Sequence, residues 1–179
     1  MKSIDEAQRD MRNAYYSGAT GVVTSATAWL AAALAAAFVS SYAGVLTLIF
    51  GGMLIFPASV VLCKVIGRSG KHSKHNPLSP LAIESTIWML LSIVVAIGAG
   101  LYKIEWFFPA MLLVIGGRYF TFSTLYGLRI YWAFGATLVI AAILLVLFEA
   151  PVISGAFAGA LLEYAYGIAI FVLVRPNAD

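Results

Sequence analysis

The sequence predicts an all-α fold, a polytopic membrane bundle of six transmembrane helices arranged as three hairpins, with a short amphipathic helix at the N-terminus. Of its 179 residues, 62% are apolar and only 11% are charged, against about 45–50% and about 25% in soluble domains. Six apolar stretches are each long enough to cross a bilayer, which takes about 20 helical residues. This composition excludes an ordinary soluble enzyme, a disordered tail and a nucleic-acid-binding domain.

The apolar stretches are continuous rather than alternating, so helices are predicted and not the strands of a closed barrel. Because few residues lie outside the spans, residues 1–179 are interpreted as one integral membrane domain. Residues 1–18 form a cytoplasmic amphipathic segment in this interpretation. The predicted spans are 19–39, 43–66, 81–101, 106–128, 130–148 and 151–174.

Apolar residues recur in the N-terminal segment at Ile4, Ala7, Met11 and Tyr15, with charged residues between them. This helical spacing predicts a short helix that lies on the inner membrane surface. A helix that binds a partner protein would show the same pattern, so both interpretations stay open.

Basic residues predict the orientation of the chain, because cytoplasmic connectors are enriched in Lys and Arg. With the N-terminus inside, nine of the eleven basic residues lie on the cytoplasmic side. Lys103 alone lies outside, and Arg118 lies within a span. Both termini are therefore predicted to be cytoplasmic.

A weak repeat supports the arrangement in three hairpins. Each odd-numbered span carries a tryptophan, at Trp29, Trp88 and Trp132, and each following span carries a pair of small residues. The connectors within these pairs of spans are very short, which forces the paired helices to run antiparallel. Gly, Ala and Trp are common in membrane helices, so the pattern is also compatible with no repeat.

Two ionisable residues lie deep in the predicted spans. Arg118 follows Trp106 by 12 residues, and Glu163 follows Pro151 by 12, which places each about 18 Å from the outer boundary at about 1.5 Å per residue. Gly155, Gly159 and Glu163 recur every fourth residue, so they share a helix-contact face. Equal depth and opposite charge predict a salt bridge between Arg118 and Glu163.

Hydroxyl groups surround this pair and complete a candidate intramembrane polar site. Such a site can fix helix register, form a solvated pocket or pathway, or carry out catalysis, and the sequence leaves these alternatives open. The site consists of Arg118, Glu163, Thr121, Tyr119, Tyr164 and Tyr166.

The longest connector, GRSGKHSKHNPLSP at 67–80, is rich in Gly, Ser, Pro and cations, which is typical of a loop. Its cations would bind anionic lipid head groups. No metal or cofactor is predicted, since zinc sites usually need three or four protein ligands and no Cys, Asp or Glu flanks the two histidines. The candidate cytoplasmic mouth or lipid-binding residues are Glu84, Lys71, His72, Lys74 and His75.

The leading functional prediction is a small-solute or ion transporter, or a transporter subunit, with a polar intramembrane site. The alternative is a membrane-embedded scaffold or regulator that binds lipid or another membrane protein. Assembly into a homo-oligomer also stays open. A third possibility is a lipid-modifying enzyme that uses Glu84, His72, His75 and Glu163. The sequence contains no Gly-x-Ser-x-Gly, phosphate-loop or His-Glu-x-x-His motif, so no catalytic residue is assigned.

The runs GRSGKHSK, at 67–74, and EWFFPAM, at 105–111, are the most specific parts of a wider resemblance. Between the first and sixth spans, the chain resembles a family of bacterial six-helix membrane proteins of unknown function. This resemblance implies a location in the bacterial inner membrane. It implies no activity, cofactor or catalytic residue.

Overall fold

The computed structural model describes residues 3–173, and all the regular secondary structure in that range is helical. Six helices are long and apolar enough to span a membrane, so the chain is a multi-pass membrane protein. The helices are α1 (Ile4–Tyr15), α2 (Ala19–Phe38), α3 (Ser41–Val65), α4 (Ser79–Tyr102), α5 (Phe107–Tyr126), α6 (Ile130–Leu147) and α7 (Val152–Leu173).

The predicted spans agree with helices α2 to α7 to within two residues at every described end. Local signals explain several of these ends. The Ser40 side chain accepts a hydrogen bond from the Ala43 amide and caps α3, and Gly127 ends α5 in the left-handed conformation. Three residues that the predictions name lie outside the described residues. They are Val174, at the end of the last predicted span, and the basic residues Lys2 and Arg175.

The helices pack in two groups that α7 joins. Helix α2 lies between α3 and α7, helix α5 lies between α4 and α6, and α7 also contacts α5 and α6. Helices α3 and α4 are the least buried of the six. The three tryptophans of the weak repeat have different surroundings, since Trp29 is 1% exposed while Trp88 and Trp132 are 72% and 59% exposed.

Glycines allow the close approach of α7 to its neighbours. Gly159 packs against the Trp29 ring of α2, and Gly155 packs against the Cβ of Phe108 on α5. A side chain at either position would collide with these residues. The predicted helix-contact face of α7 is therefore the buried face, and Glu163, which continues it, is fully buried.

Helix α1 folds back against one end of the bundle, which we call the α1 end. The chain reverses at Tyr16, Ser17 and Gly18, whose φ angles are 49°, 57° and 87°. The Tyr131 hydroxyl fixes this corner by donating to the Ser17 carbonyl at 2.7 Å. Left-handed conformations at non-glycine residues are uncommon, so the packing of α1 holds this turn in place.

The polar side chains of α1 satisfy carbonyls at the end of α5. Gln8 Nε2 donates to the Thr124 carbonyl at 2.8 Å, and Arg12 donates to the Tyr126 carbonyl at 2.6 Å. The last carbonyls of a helix have no partner within it, so these bonds cap α5. The apolar face of α1 buries Ala7, Met11 and Ala14 on the bundle, so this face packs on protein.

Candidate functional site

The predicted polar site is divided among separate places in the bundle. Arg118 and Thr121 line a cleft between α4 and α5. Tyr119 and Glu163 meet in the core between α5 and α7. The other two tyrosines bond elsewhere: the Tyr164 and Tyr166 hydroxyls lie 2.9 Å from those of Thr27 and Thr137, respectively.

The predicted salt bridge is absent, and this prediction was wrong. The guanidinium of Arg118 contacts Thr86 and Met89 on α4, whereas Glu163 accepts its hydrogen bond from Tyr119. Counting residues along each span estimates depth but not direction around the helix axis. Arg118 and Tyr119 are consecutive and therefore point about 100° apart, so they face different neighbours.

Arg118 forms no salt bridge with a carboxylate of the described chain. Its Nη2 donates to Thr86 Oγ1 at 3.2 Å, and its Nη1 lies 2.8 Å from the Met89 sulfur. The guanidinium carbon lies 5.3 Å from the centre of the Phe122 ring, a cation–π contact. The buried Nε has no hydrogen-bond partner. These neutral groups satisfy part of the guanidinium's hydrogen-bonding capacity and neutralise none of its charge.

The cleft beside Arg118, which we call the α4–α5 cleft, has a volume of about 490 Å³. Ligand pockets commonly have volumes of about 300–1,000 Å³. The cleft opens on the side of the bundle, where Trp88 and Val95 are 72% exposed. Its lining includes Ser85, Trp88, Val95, Ala110, Leu113, Arg118 and Thr121.

Glu163 lies in the closed core and not in this cleft. Its Oε1 accepts a hydrogen bond from the Tyr119 hydroxyl at 2.9 Å, and its buried Oε2 has no hydrogen-bond partner. The Tyr119 ring stacks on Phe134, with 4.1 Å between the ring centres. An ionised carboxylate is costly to bury in such apolar surroundings without a cation beside it. The neutral acid suits this position, where it links α7 to α5.

The long connector is tied to α1 and to the start of α4. Asn76 is 3% exposed, and its amide nitrogen donates to the Ala7 carbonyl at 3.0 Å and to Asp10 at 2.7 Å. The two ring nitrogens of His72 lie 2.8 Å from the Tyr15 hydroxyl and 3.0 Å from that of Ser79. Burial raises the pKa of Tyr15, so this hydroxyl stays protonated at neutral pH. His72 therefore holds the connector in place.

The other predicted connector residues are exposed at the α1 end. Lys74 and Glu84 line a pocket of about 390 Å³ at the start of α4, together with Asn76 and Ser79. Lys71 and His75 are exposed. The groups proposed for an enzyme are thus dispersed, because His72 is bonded to Tyr15 of α1 and Ser79 of α4 and Glu163 lies in the core. Thr86 and Met89 contact Arg118, and no pattern in the sequence indicated either residue.

The comparison with protein families identifies the chain as a relative of uncharacterised proteins. Residues 4–173 match the model of a family of unknown function, DUF7010. The chain belongs to this family. No curated protein and no solved structure matches it. The resemblance to an uncharacterised family is confirmed, and membership of DUF7010 assigns no activity and no functional residue.

Proposed function

We propose that this protein is a small-solute or ion transporter, or a subunit of one, and that it binds an anion at Arg118 in the α4–α5 cleft. The observation that carries the proposal is the unneutralised guanidinium. Arg118 has an unpartnered Nε and contacts only neutral groups in the described chain. A cation within a transmembrane helix is costly, and such residues typically mark substrate or ion pathways.

The setting of the cleft supports binding of a ligand there. Gly117, next to Arg118, has open space where a side chain would lie, and the hydroxyls of Ser85 and Thr121 line the same cleft. A planar guanidinium with free N–H groups suits carboxylate and phosphate oxygens. The proposed substrate is therefore an anion.

We also propose that the protein lies in a bacterial inner membrane, with α1 and both termini in the cytoplasm. The α1 end carries basic residues on α1 and on the long connector, among them Arg9, Lys71 and Lys74. The connector at the opposite end, between α4 and α5, carries Lys103. This asymmetry supports the orientation, because basic connectors stay on the cytoplasmic side.

Transport is tested by anion currents in proteoliposomes. Chloride, nitrate, acetate and inorganic phosphate are applied in turn to vesicles that contain the wild type, Arg118→Gln or Arg129→Gln. We expect a current with at least one anion, lost in Arg118→Gln and kept in Arg129→Gln, which removes a charge at the start of α6. Currents equal to those of empty vesicles, or unchanged in Arg118→Gln, would contradict the proposal.

The second candidate function is a lipid-binding or protein-binding scaffold or regulator, and the anchored connector favours it. The bonds of Asn76 and His72 hold this loop in one conformation, with Lys71, Lys74 and His75 exposed. Juxtamembrane cations gain about 1 kcal/mol each from anionic head groups. If the protein is such a scaffold, the double variant Lys71→Gln and Lys74→Gln should weaken binding to anionic lipid. Arg118→Gln should leave that binding unchanged.

A further inference from the structure

We infer that the anion in the α4–α5 cleft is the phosphate of an anionic phospholipid, with one acyl chain along the apolar part of the cleft. This inference rests on the proposed anion site at Arg118 and specifies its ligand. It concerns a site within the bilayer, separate from the basic connector at the α1 end.

The cleft is elongated and has one polar and one apolar end. Its lining runs from Ser85 to Ala96 on α4 and from Ala110 to Thr121 on α5, which is about 16 Å along each helix at 1.5 Å per residue. Helices α4 and α5 are antiparallel neighbours, so Ser85, Arg118 and Thr121 lie toward the α1 end. A molecule with an anionic head and a hydrocarbon chain matches this division.

The opposite half of the cleft is largely apolar, and the hydroxyl of Ser92 there already donates to the Trp88 carbonyl. Val95 and Leu113 line it and are 72% and 46% exposed to the surroundings of the bundle. In a membrane those surroundings are acyl chains, so a lipid can enter sideways without passing through water.

The position of Arg118 brings its charge within reach of one leaflet. Arg118 precedes Tyr126, the last residue of α5, by eight residues, or about 12 Å. Its partner Thr86 follows Ser79, the first residue of α4, by seven residues, or about 10 Å. Buried arginines draw head groups and water inward by local thinning of the bilayer, which brings a lipid phosphate to the guanidinium.

Charge complementarity selects an anionic lipid. Arg118 has no carboxylate partner in the described chain, and arginine binds phosphate oxygens through paired N–H groups. Phosphatidylcholine carries its own ammonium beside the phosphate, whereas phosphatidylglycerol keeps a net negative charge. The cleft should therefore retain phosphatidylglycerol in preference to phosphatidylcholine.

The test is native mass spectrometry of the full chain, equilibrated with equal amounts of phosphatidylglycerol and phosphatidylcholine of the same acyl chains. Arg118→Gln removes the charge, and Gly117→Leu fills the cleft while leaving Arg118 in place. Gly52→Leu on α3 is the matched control, because an added side chain meets open space at both glycines. Arg129→Gln controls for loss of a positive charge outside the cleft.

We expect phosphatidylglycerol retention to fall at least about tenfold in Arg118→Gln, which corresponds to the loss of one charge-assisted hydrogen bond. Retention should also fall in Gly117→Leu, because the added side chain occupies the cleft. The two control variants should retain it as the wild type does. If Arg118→Gln does not fold, Gly117→Leu decides the result, because it does not remove the guanidinium. Retention at the wild-type level in both cleft variants overturns the inference and places the lipid elsewhere.

Two soluble probes separate the inference from the proposed function. Inorganic phosphate and laurate are titrated against the wild type and Arg118→Gln, with thermal stabilisation as the readout. If either binds in an Arg118-dependent manner while phosphatidylglycerol does not, the lipid is wrong and the anion site stands. If none of the three ligands depends on Arg118 and no anion current depends on it either, the anion site and the proposed function both fail.

Discussion

The hydroxyl of Tyr119 donates a hydrogen bond to Glu163 at 2.9 Å and connects α5 to α7. The two side chains are buried, and the next residue toward the start of α5, Arg118, faces α4 instead. Helix α5 therefore carries a closed polar contact on one side and an open cationic cleft on another. The two intramembrane charges predicted to neutralise each other belong to different environments.

We predict that Glu163→Gln leaves the stability of the detergent-solubilised protein close to that of the wild type. Glutamine keeps a carbonyl oxygen that accepts from Tyr119 and carries no charge to bury. Glu163→Leu should destabilise the protein by about 1–3 kcal/mol, because the buried Tyr119 hydroxyl loses its acceptor. Thermal unfolding measures both variants. A large loss in Glu163→Gln would show that an ionised carboxylate is needed.

Double-mutant cycles should show coupling of Glu163 to Tyr119 and little coupling to Arg118. Tyr119→Phe with Glu163→Leu should give an interaction energy of about 1 kcal/mol, as for an ordinary hydrogen bond. Arg118→Gln with Glu163→Leu should be additive to within about 0.5 kcal/mol, because the two residues have no partner in common. A coupling of several kcal/mol in the second cycle would restore the ion pair.

The spans and the buried face of α7 could be predicted because each follows from a property of one helix. A run of apolar residues predicts membrane insertion, and the spacing of Gly155, Gly159 and Glu163 predicts one contact face. The partners of Arg118 could not be predicted in this way. They depend on how α4 and α5 are rotated about their axes, which is set by packing between helices and not by depth.

The surface on which α1 packs could not be predicted from the sequence either. Its amphipathic spacing predicted a helix with one apolar face, and Ala7 and Met11 are indeed buried. A membrane surface and a protein surface both bury such a face, so the pattern could not distinguish them. The deciding contacts join Gln8 and Arg12 to carbonyls of α5 more than a hundred residues away.

We predict that Asn76→Ala releases the long connector from α1. The side chain of Asn76 bonds to Ala7 and Asp10, and its Oδ1 also accepts from the Leu78 amide at 2.9 Å. Loss of these bonds should destabilise the protein by about 1–3 kcal/mol. Hydrogen exchange should accelerate in residues 67–78 and in α1.

The exposed His75 provides the control for this change. His75→Ala lies one residue away on the same connector and should leave hydrogen exchange unchanged. Equal exchange rates in Asn76→Ala and the wild type would mean that other contacts hold the connector. Faster exchange throughout all the helices would instead indicate global unfolding.

Cysteine labelling of intact bacterial cells that produce the protein should show that the long connector is cytoplasmic. The native Cys63 is fully buried, so the wild type gives a low background with a membrane-impermeant maleimide. Lys71→Cys and Lys74→Cys should react only after the membrane is permeabilised. Glu149→Cys, in the exposed connector between α6 and α7, should react in intact cells.

Three spanning helices separate residues 74 and 149, so the two sets must label from opposite sides. The reverse pattern would invert the proposed orientation, and labelling of both sets from one side would contradict the six-span topology.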